Sequence, residues 1–357
     1  MRRLPIFFLV DVSESMVGES LYKLEEGIGA IAKTLRQDPH ALETAFLSVI
    51  VFAGKVRTMI QLTELGAFYP PELPVGGGTA LGAGLSHLMD EIDRTVVTTT
   101  MDRKGDWKPI VFLLTDGHPT DDVATALARW NRAYRNRVHL VAVSMGGGAD
   151  HALLKRLTDD VVVFNDSAPD AFAGFIKWIS MSIQNQSRSV SAGPDGRVSL
   201  AKVEPGLLAR IEQSDGLAPF AGIDDRYAVF VGKCSKTKRA YVIKYERHMG
   251  RIETTDPVLS NLLMTRRYAL SAAIPVKDSY FDLSAGVGSG QSVSSEDLVG
   301  QPNCPHCGAQ FAMAVCRCGK IHCVHGSGEH VCPWCGKTGV YGVAEDGEGF
   351  DIGRGRG

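Results

Sequence analysis

The chain has 357 residues, enough for two or three domains of ordinary size, and 44% of them are hydrophobic, as is typical of domains with sizeable cores. The 38 Lys and Arg residues nearly balance the 40 Asp and Glu residues, and the net charge of −2 argues against a general binder of polyanions such as nucleic acid. No apolar stretch approaches the roughly 20 residues that cross a bilayer, so we expect no membrane partner.

The N-terminal segment "MRRLPIFFLV" imitates a secretory signal, because two arginines precede apolar residues. However, Pro5 interrupts the apolar run, Asp11 ends it, and no cleavage site of small residues follows. We therefore interpret residues 4–10 as the first strand of a cytoplasmic protein.

Residues 1–187 alternate between two patterns. Unbroken apolar runs are typical of strands that are covered on both faces, and other segments have apolar residues at helical spacing, after Leu21, Leu81 and Phe172. The apolar runs lie at 4–10, 45–53, 108–115, 137–145 and 161–165. The alternation predicts an α/β domain with a doubly wound, mostly parallel sheet, in which ligands bind at the carboxyl ends of the strands.

The pattern changes after this domain. Residues 188–200 are small, polar and glycine-containing, which predicts a linker. Residues 201–295 are interpreted as a small β-rich domain. Within it, 226–247 has the pattern of two strands around the turn "SKTK", and 268–276 and 279–284 also look extended.

Polar side chains follow two of the predicted strands and a glycine-rich loop. "FLVDVSESM" contains Asp11, Ser13 and Ser15, "VGGGTALGAGL" contains Thr79, and "FLLTDGHPTD" contains Asp116. Separately, these segments are typical of a helix cap, a phosphate-binding loop and a turn. Together, at one edge of a sheet, two carboxylates and three hydroxyls predict a site for Mg²⁺, which prefers oxygen ligands.

The segments "DVSES", "GGGTALG" and "LLTDG" resemble the metal-ion-dependent adhesion site (MIDAS) of von Willebrand factor A (VWA) domains, which have a Rossmann-like fold. The resemblance implies that Ser13, Ser15 and Thr79 bind Mg²⁺ (or Mn²⁺ or Ca²⁺) directly or through water. It also implies that Asp11 and Asp116 anchor the ion, commonly through water. A protein partner would supply an Asp or Glu side chain at the sixth position.

Seven of the eight cysteines lie between Cys304 and Cys335, which predicts metal binding rather than a disulfide framework. The turns "CPHCG" and "CPWCG" can each place two thiolates on one ion, so we expect a tetrahedral Zn²⁺ site at Cys304, Cys307, Cys332 and Cys335. Four thiolates close the coordination shell, which favours a structural zinc. Residues 300–343 are therefore interpreted as a zinc-ribbon-like module, and 344–357 as a disordered tail.

The remaining cysteines allow more than one interpretation. Cys316, Cys318 and Cys323 can bind a second zinc, with a nearby histidine as the fourth ligand: His322, His325 or His330. Free cysteines on a hairpin, or a different division of the seven cysteines between sites, are open alternatives. Cys234 is interpreted as a lone residue of a strand.

An N-terminal VWA-like domain, a β-rich middle and a cysteine-rich end together resemble the TerY family of bacterial tellurite-resistance and stress-response clusters. That resemblance implies a functional link to a protein kinase and a metal-dependent protein phosphatase. We expect a non-enzymatic, metal-dependent interaction module. The alternatives are a metal-dependent phosphohydrolase with Asp11 as nucleophile and a zinc-ribbon adaptor for nucleic acid. Sparse basic residues around the cysteines argue against the adaptor.

Overall fold

The structure is a computed structural model, which describes residues 2–102, 104–145, 149–164, 171–189, 201, 208–210, 226–247, 267–285, 291–342 and 349–355. The chain forms two compact units, each described here by itself. The first contains Met1–Val12, Glu19–Leu73 and Thr79–Ala221, and the second contains Ser13–Gly18, Pro74–Gly78 and Gly222–Gly357.

A seven-stranded sheet forms the centre of the first unit. Its strands are β1 (Leu4–Asp11), β2 (Ala45–Phe52), β3 (Val56–Glu64), β4 (Ile110–Thr115), β5 (His139–Met145), β6 (Val161–Phe164) and β7 (Leu208–Arg210). They lie in the order β3-β2-β1-β4-β5-β6-β7, and all neighbours pair in parallel except β3 and β7 at the two edges. The prediction of a mostly parallel sheet is confirmed.

The central strands of this sheet are apolar on both faces, so both faces must be shielded from water, and helices cover them. They are α1 (Glu19–Leu35), α2 (Pro39–Thr44), α3 (Leu81–Thr95), α4 (Ala124–Ala133), α5 (His151–Leu157) and α6 (Ala171–Ser189). β1 is buried at every position. Phe7 and Leu9 share a core with α3, α4 and α5, whereas α1 contacts α6. The apolar residues spaced from Leu21 to Leu35 are the buried side of α1.

The first unit extends further along the chain than the sequence indicates. α6 continues to Ser189, so the predicted linker overlaps it at residues 188–189, and its remainder, 190–200, lies outside the described residues. The indole Nε1 of Trp178 donates to the carbonyl of Ala201 at 3.0 Å, and β7 pairs with β6. These contacts place Ala201 and β7 in the first unit rather than in the β-rich domain predicted from residue 201.

The second unit is built mainly of short strands. They are β8 (Tyr227–Lys233), β9 (Ala240–Arg247), β10 (Tyr268–Pro275), β11 (Ser292–Ser294), β12 (Leu298–Val299), β13 (Phe311–Val315), β14 (Ile321–Val324), β15 (Gly328–Val331), β16 (Thr338–Tyr341) and β17 (Asp351–Gly353). Six of them form a sheet in the order β12-β10-β9-β8-β14-β13, and two further pairs are β11-β17 and β15-β16. The predicted hairpin around "SKTK" corresponds to β8 and β9.

The β-rich segment and the cysteine module are one folded body rather than the two domains predicted. β14, from the cysteine module, pairs in parallel with β8 through Ile321 and Gly232. The Tyr241 hydroxyl of β9 donates to the Ala312 carbonyl of β13 at 2.6 Å. A shared sheet and a shared core therefore replace the boundary placed between residues 295 and 300.

Two local predictions in the second unit are wrong. Residues 279–284 do not continue a strand, because Ser279–Leu283 forms a helix, α7, which buries Tyr280 and Leu283 on one face at a spacing of three. The predicted disordered tail is ordered where it is described: β17 pairs with β11, and Ile352 is buried. Residues 344–348 and 356–357 of that predicted tail lie outside the described residues.

No helix among the described residues has both the length and the apolar character needed to cross a bilayer.

Replacement of Ile352 by Ala tests whether the tail is docked. The side chain is 2% exposed, so we expect Ile352→Ala to lower the free energy of unfolding of the second unit by about 2–4 kcal/mol, through lost apolar burial and a residual cavity. Asp351→Ala, at an exposed neighbouring position, is the matched control. Urea denaturation of the metal-loaded chain measures the difference, and equal midpoints for both variants would show that the tail is not packed.

Candidate metal centres

Asp11 and Asp116 lie at the carboxyl ends of neighbouring strands. β1 and β4 pair in parallel up to Val10 and Leu114, so Asp11 ends β1 beside Thr115. The Thr115 hydroxyl donates to Asp11 Oδ2 at 2.6 Å, and Asp116 is the next residue. Both carboxylates are buried, with 0% and 3% exposure. The register of the two strands therefore brings two acidic side chains to one edge of the sheet.

Thr79 is fixed by the loop that follows Asp116. The Thr79 amide donates to Thr120 Oγ1 at 2.8 Å, and the Thr120 amide donates back to the Thr79 carbonyl at 2.8 Å. The amide of Ala80 donates to the carbonyl of Ala53, just past β2. Thr79 is thus tied to the ends of two strands, at the same carboxyl edge as Asp11 and Asp116.

Asp121 adds a contact that the sequence interpretation missed. Asp122 accepts from the Ala124 amide at the start of α4. Asp121 instead accepts from the amides of Gly82 and Ala83 in the first turn of α3, at 3.1 and 2.9 Å. Burial raises the pKa of Asp121 although these two bonds oppose the rise. The loop after β4 is therefore bonded to the helix that follows Thr79.

Ser13 and Ser15 belong to a short segment of the second unit, Ser13–Gly18. They follow Asp11 by two and four residues, and their hydroxyl oxygens lie 2.8 Å apart, within hydrogen-bonding distance. A turn of 3₁₀ helix over Glu14–Met16 brings them together. Both side chains are fully buried.

Glu14 and the Ser15 carbonyl anchor this segment within the second unit. The Tyr280 hydroxyl donates to Glu14 Oε1, and Lys244 Nζ donates to the Ser15 carbonyl. A Cβ on Gly355 would lie 2.5 Å from Glu14 Oε2, so a larger residue there would have to displace this carboxylate. Burial, with the Glu14 charge, raises the pKa of Tyr280, which keeps its hydroxyl a donor. Sequence reasoning passed over Glu14, because it occupies an unspecified position of "DVSES".

The donor set is chemically suited to a hard cation. Two carboxylates and three hydroxyls offer only oxygen atoms, as Mg²⁺, Mn²⁺ and Ca²⁺ prefer. The structure places Asp11, Thr79 and Asp116 at one sheet edge and places Ser13 beside Ser15. Their role as ligands remains a prediction.

The anchor of the serine segment can be tested at Tyr280. Tyr280→Phe removes one hydrogen bond to a buried carboxylate, so we expect a loss of about 1.5–3 kcal/mol in the free energy of unfolding of the second unit. Phe281→Leu, at the exposed neighbouring aromatic residue, is the control. Urea denaturation measures the loss, and a Tyr280→Phe variant as stable as this control would contradict the anchoring role.

The cysteines gather into two groups of four. Within each group, all sulfur atoms lie within 4.8 Å of one another. Site A consists of Cys234, Cys304, Cys307 and Cys323, and site B consists of Cys316, Cys318, Cys332 and Cys335.

This grouping corrects the division expected from the sequence. The two C-x-x-C turns do not share one site: Cys304 and Cys307 belong to site A, and Cys332 and Cys335 belong to site B. Cys234 is not a lone strand residue, because it completes site A. Each turn needs two further sulfurs, which come from the β8–β9 turn and β14 for site A and from the "CRC" turn for site B.

The sulfur spacing matches the size of a zinc site. A tetrahedron with Zn–S bonds of about 2.3 Å has edges of about 3.8 Å. Within site A, the sulfur atoms of Cys307 and Cys323 are 3.7 Å apart. Within site B, the sulfur–sulfur distance is 3.8 Å between Cys316 and Cys335 and 3.9 Å between Cys318 and Cys332. Both groups therefore fit Zn²⁺ in number of ligands, ligand type and size.

Three of the cysteine turns share one backbone conformation. In each, the first cysteine donates its amide to the carbonyl five residues on, and its own carbonyl accepts from the amide four residues on. The fourth residue after that cysteine has a positive φ: 72° at Gly308, 73° at Gly336 and 60° at Lys238. "CSKTK" is thus a third turn of the "CPHCG" type, with Thr237 replacing the second cysteine and Lys238 replacing the glycine. Because of those two replacements, the sequence that begins at Cys234 does not match the pattern C-x-x-C-G.

Burial makes three of the thiols in these groups poor acids. It raises the pKa of Cys304, Cys323 and Cys332, against the effect of nearby backbone amides. A divalent cation favours the thiolates, so metal binding at these groups releases protons and weakens as the pH falls.

The three histidines proposed as a fourth ligand lie outside both four-sulfur groups. His322 is fully buried and lies 2.8 Å from the Tyr341 hydroxyl through Nε2. His330 Nε2 lies 2.9 Å from the Gly326 carbonyl. Four cysteines per group leave no coordination position that requires a histidine.

Site A can be tested through Cys234. We expect two zinc ions per chain, falling to about one in Cys234→Ser, because three thiolates hold zinc far more weakly than four. Metal analysis after dialysis against a weak chelator measures the loss. Cys318→Ser is the matched variant for site B and should also retain about one zinc. An unchanged zinc content in Cys234→Ser would restore the interpretation of Cys234 as a lone residue.

Two protein-family models match this chain, one in its N-terminal half and one in its C-terminal part. A model of the von Willebrand factor type A domain matches residues 6–177. Residues 6–177 therefore form a VWA domain with an α/β fold. A model of the TerY-C metal binding domain matches residues 224–357, so the β-rich C-terminal region with its two cysteine groups is a TerY-C metal-binding domain.

Three individual relatives each match about half of this chain. Human inter-alpha-trypsin inhibitor heavy chain H6 is 24% identical over 159 residues, which are 43% of this chain and 12% of that protein. A von Willebrand factor type A structure from Catenulispora acidiphila has 17% identity and a TM-score of 0.39, covering 52% of this chain and 43% of its own. Proximal thread matrix protein 1 from the mussel byssus, with a zinc-occupied MIDAS motif, has 18% identity and a TM-score of 0.37, covering 50% and 46%. The chain spans less than half the length of each.

Proposed function

We propose that this protein is a non-enzymatic interaction module that binds a protein partner through a divalent cation held by Asp11, Ser13, Ser15, Thr79 and Asp116. The observation that supports it most is the convergence of Asp11, Thr79 and Asp116 at the carboxyl edge of a parallel sheet. A match to the VWA domain over residues 6–177 supports the same proposal.

The charge of the proposed ligands favours capture of an acidic group. Asp11 and Asp116 contribute two formal negative charges, which balance a divalent ion, and the three hydroxyls contribute none. The ion therefore remains electrophilic and attracts one more carboxylate, which an Asp or Glu side chain of the partner supplies. Because the site is removed from water, this attraction is stronger than at an exposed surface.

The two cysteine groups have a different role in this proposal. We assign a structural Zn²⁺ to each, because four sulfur ligands leave no open position for a substrate. The zinc ions supply folding energy to a unit made of short strands and small cores.

The proposal extends to a biological setting. The TerY-C match over residues 224–357 supports a role in a bacterial tellurite-resistance or stress-response system, with a protein kinase and a protein phosphatase as candidate partners. The eight cysteines are free thiols, which supports a reducing compartment such as the cytoplasm.

The role of the cation can be tested with Asp116→Ala. Chelators such as EDTA would also remove zinc, so Mg²⁺ is withdrawn by dialysis and the zinc content is checked afterwards. We expect one Mn²⁺ site, detected by electron paramagnetic resonance, in the parent chain and loss of at least tenfold in its affinity in Asp116→Ala, which removes one of two carboxylates.

Capture of protein from a lysate of the native host then tests the interaction itself. Capture should require Mg²⁺ and disappear in Asp116→Ala, while the Asp122→Ala control, altered at an exposed acid close in sequence, retains it. Capture that persists in Asp116→Ala without Mg²⁺ would refute the proposal. Turnover of p-nitrophenyl phosphate that is lost in Asp11→Asn would instead support the phosphohydrolase alternative.

A further inference from the structure

We propose that a pocket at the amino edge of the seven-stranded sheet binds a small organic carboxylate, through the indole N–H of Trp107 and the ammonium group of Lys108. The pocket lies entirely in the first unit. It does not rest on the proposed cation site, which lies at the carboxyl edge of the same sheet.

Two loops form this pocket. The loop from α3 to β4 contributes residues 96–99 and 106–109, and the loop from α4 to β5 contributes residues 136–138. β4 and β5 pair in parallel from their first residues, so both loops meet where these strands begin. The pocket has a volume of about 260 Å³. Pockets for drug-sized ligands have roughly 300–1,000 Å³, so the ligand of this pocket is small.

Trp107 supplies a hydrogen-bond donor. Its Nε1 atom is buried and has no acceptor among the described residues, which is a costly arrangement for an indole N–H. The residue is held in place, because its amide donates to the Arg3 carbonyl at 2.9 Å and the Arg2 guanidinium lies 5.7 Å from the ring centroid. We therefore assign the missing acceptor to a ligand in the pocket that this ring lines.

Lys108 supplies a positive charge. Its side chain is half-buried and forms no ion pair with any acid in the part of the chain that the structure describes. Burial lowers the pKa of Lys108, and no neighbouring carboxylate opposes this effect. A bound carboxylate would favour the charged ammonium and offset the cost of its burial.

Other charged groups at the pocket are already paired. Asp106 accepts from Arg3 Nε at 2.9 Å and from Arg3 Nη2 at 2.6 Å, and Arg137 lies 3.5 Å from Asp93. Arg3 also donates to the Thr95 carbonyl at 2.9 Å, which satisfies the negative end of α3 beside the pocket. The pocket therefore keeps one uncompensated positive charge.

These features select the chemistry of the ligand. One ammonium group and one N–H match the two oxygens of a carboxylate, whereas a phosphate dianion has more acceptor oxygens than these donors satisfy. Ile92, Val96 and Val138 also line the pocket and suit a short apolar body. A free short-chain acid and the C-terminal carboxylate of a peptide share this chemistry.

Butyrate tests the free acid, and butyramide, which has the same shape without the charge, is its control. Titration of the metal-loaded full-length chain is followed by NMR of the Trp107 indole N–H, which is assigned by its absence in Trp107→Phe. We expect this resonance to shift to saturation with butyrate, and we expect butyramide to bind about tenfold or more weakly. A tripeptide that ends in valine, compared with its C-terminal amide, tests the peptide source in the same way.

Lys108→Met removes the charge and keeps an apolar side chain. We expect butyrate to bind about tenfold or more weakly than to the parent chain, while Lys104→Met, at an exposed position outside the pocket, should match the parent. If Lys108→Met does not fold, the comparison of each acid with its amide still decides. Equal binding of acid and amide, unchanged affinity in a folded Lys108→Met, or no shift of Trp107 with either acid would overturn the proposal. None of these measurements depends on Mg²⁺ or Mn²⁺, so such a result would leave the proposed cation site unaffected.

Discussion

The interleaving of the cysteine ligands along the chain is the constraint on which the second unit depends. After Cys234, the order is two ligands of site A, two of site B, one of site A and two of site B. Neither site can form from one continuous segment. Each ion would therefore close loops that pass through the other site. Such loop closure stabilises a fold chiefly by restricting the unfolded chain. Strands of four to five residues, which carry little core of their own, would be stabilised in this way. A metal ion in site A would also support the pairing of β14 with β8, because Cys323 lies on β14 and Cys234 follows β8.

A different constraint, strand register, organises the first unit. Parallel pairing of β1 with β4 places Asp11 beside Thr115 without any metal, through a backbone ladder that apolar side chains bury on both faces. The loop with Thr79 is fixed by backbone and hydroxyl groups rather than by the carboxylates. Strand register and these hydrogen bonds therefore hold Asp11 and Thr79 in place, and a cation proposed to bind there would need little further ordering of these two residues. In the proposed function, the two units would use metal in different ways: an oxygen site for recognition, and sulfur sites that stabilise the fold.

The sequence predicted most of the first unit, because its signals are local. Apolar runs and helical spacing depend only on neighbours in the chain, and both are strong in α1 and β1. β3 was missed, since its residues are half-buried and alternate weakly at a sheet edge. The second unit was predicted less well because its signals are tertiary. The spacing of C-x-x-C shows that two sulfurs share an ion, but not which other pair completes the site. Cys234 could be found only through the backbone of its turn, in which Lys238 adopts the positive φ usually taken by glycine.

Glu14 shows how a residue that fits no motif can still matter to a site. The adhesion-site pattern leaves its position unspecified, yet its carboxylate is buried and bonded to Tyr280, and the neighbouring Ser15 carbonyl accepts from Lys244. A buried carboxylate that loses a donor is costly, so the conformation of Glu14–Met16 is coupled to the packing of α7 and β9. Ser13 and Ser15 flank Glu14, and a change in the second unit that releases Glu14 would therefore move both hydroxyls. A cation that needs those hydroxyls would bind more weakly after the release, and by reciprocity the bound cation would oppose it. If Ser13 and Ser15 bind the proposed cation, its affinity would therefore depend on the packing around Glu14 in the second unit.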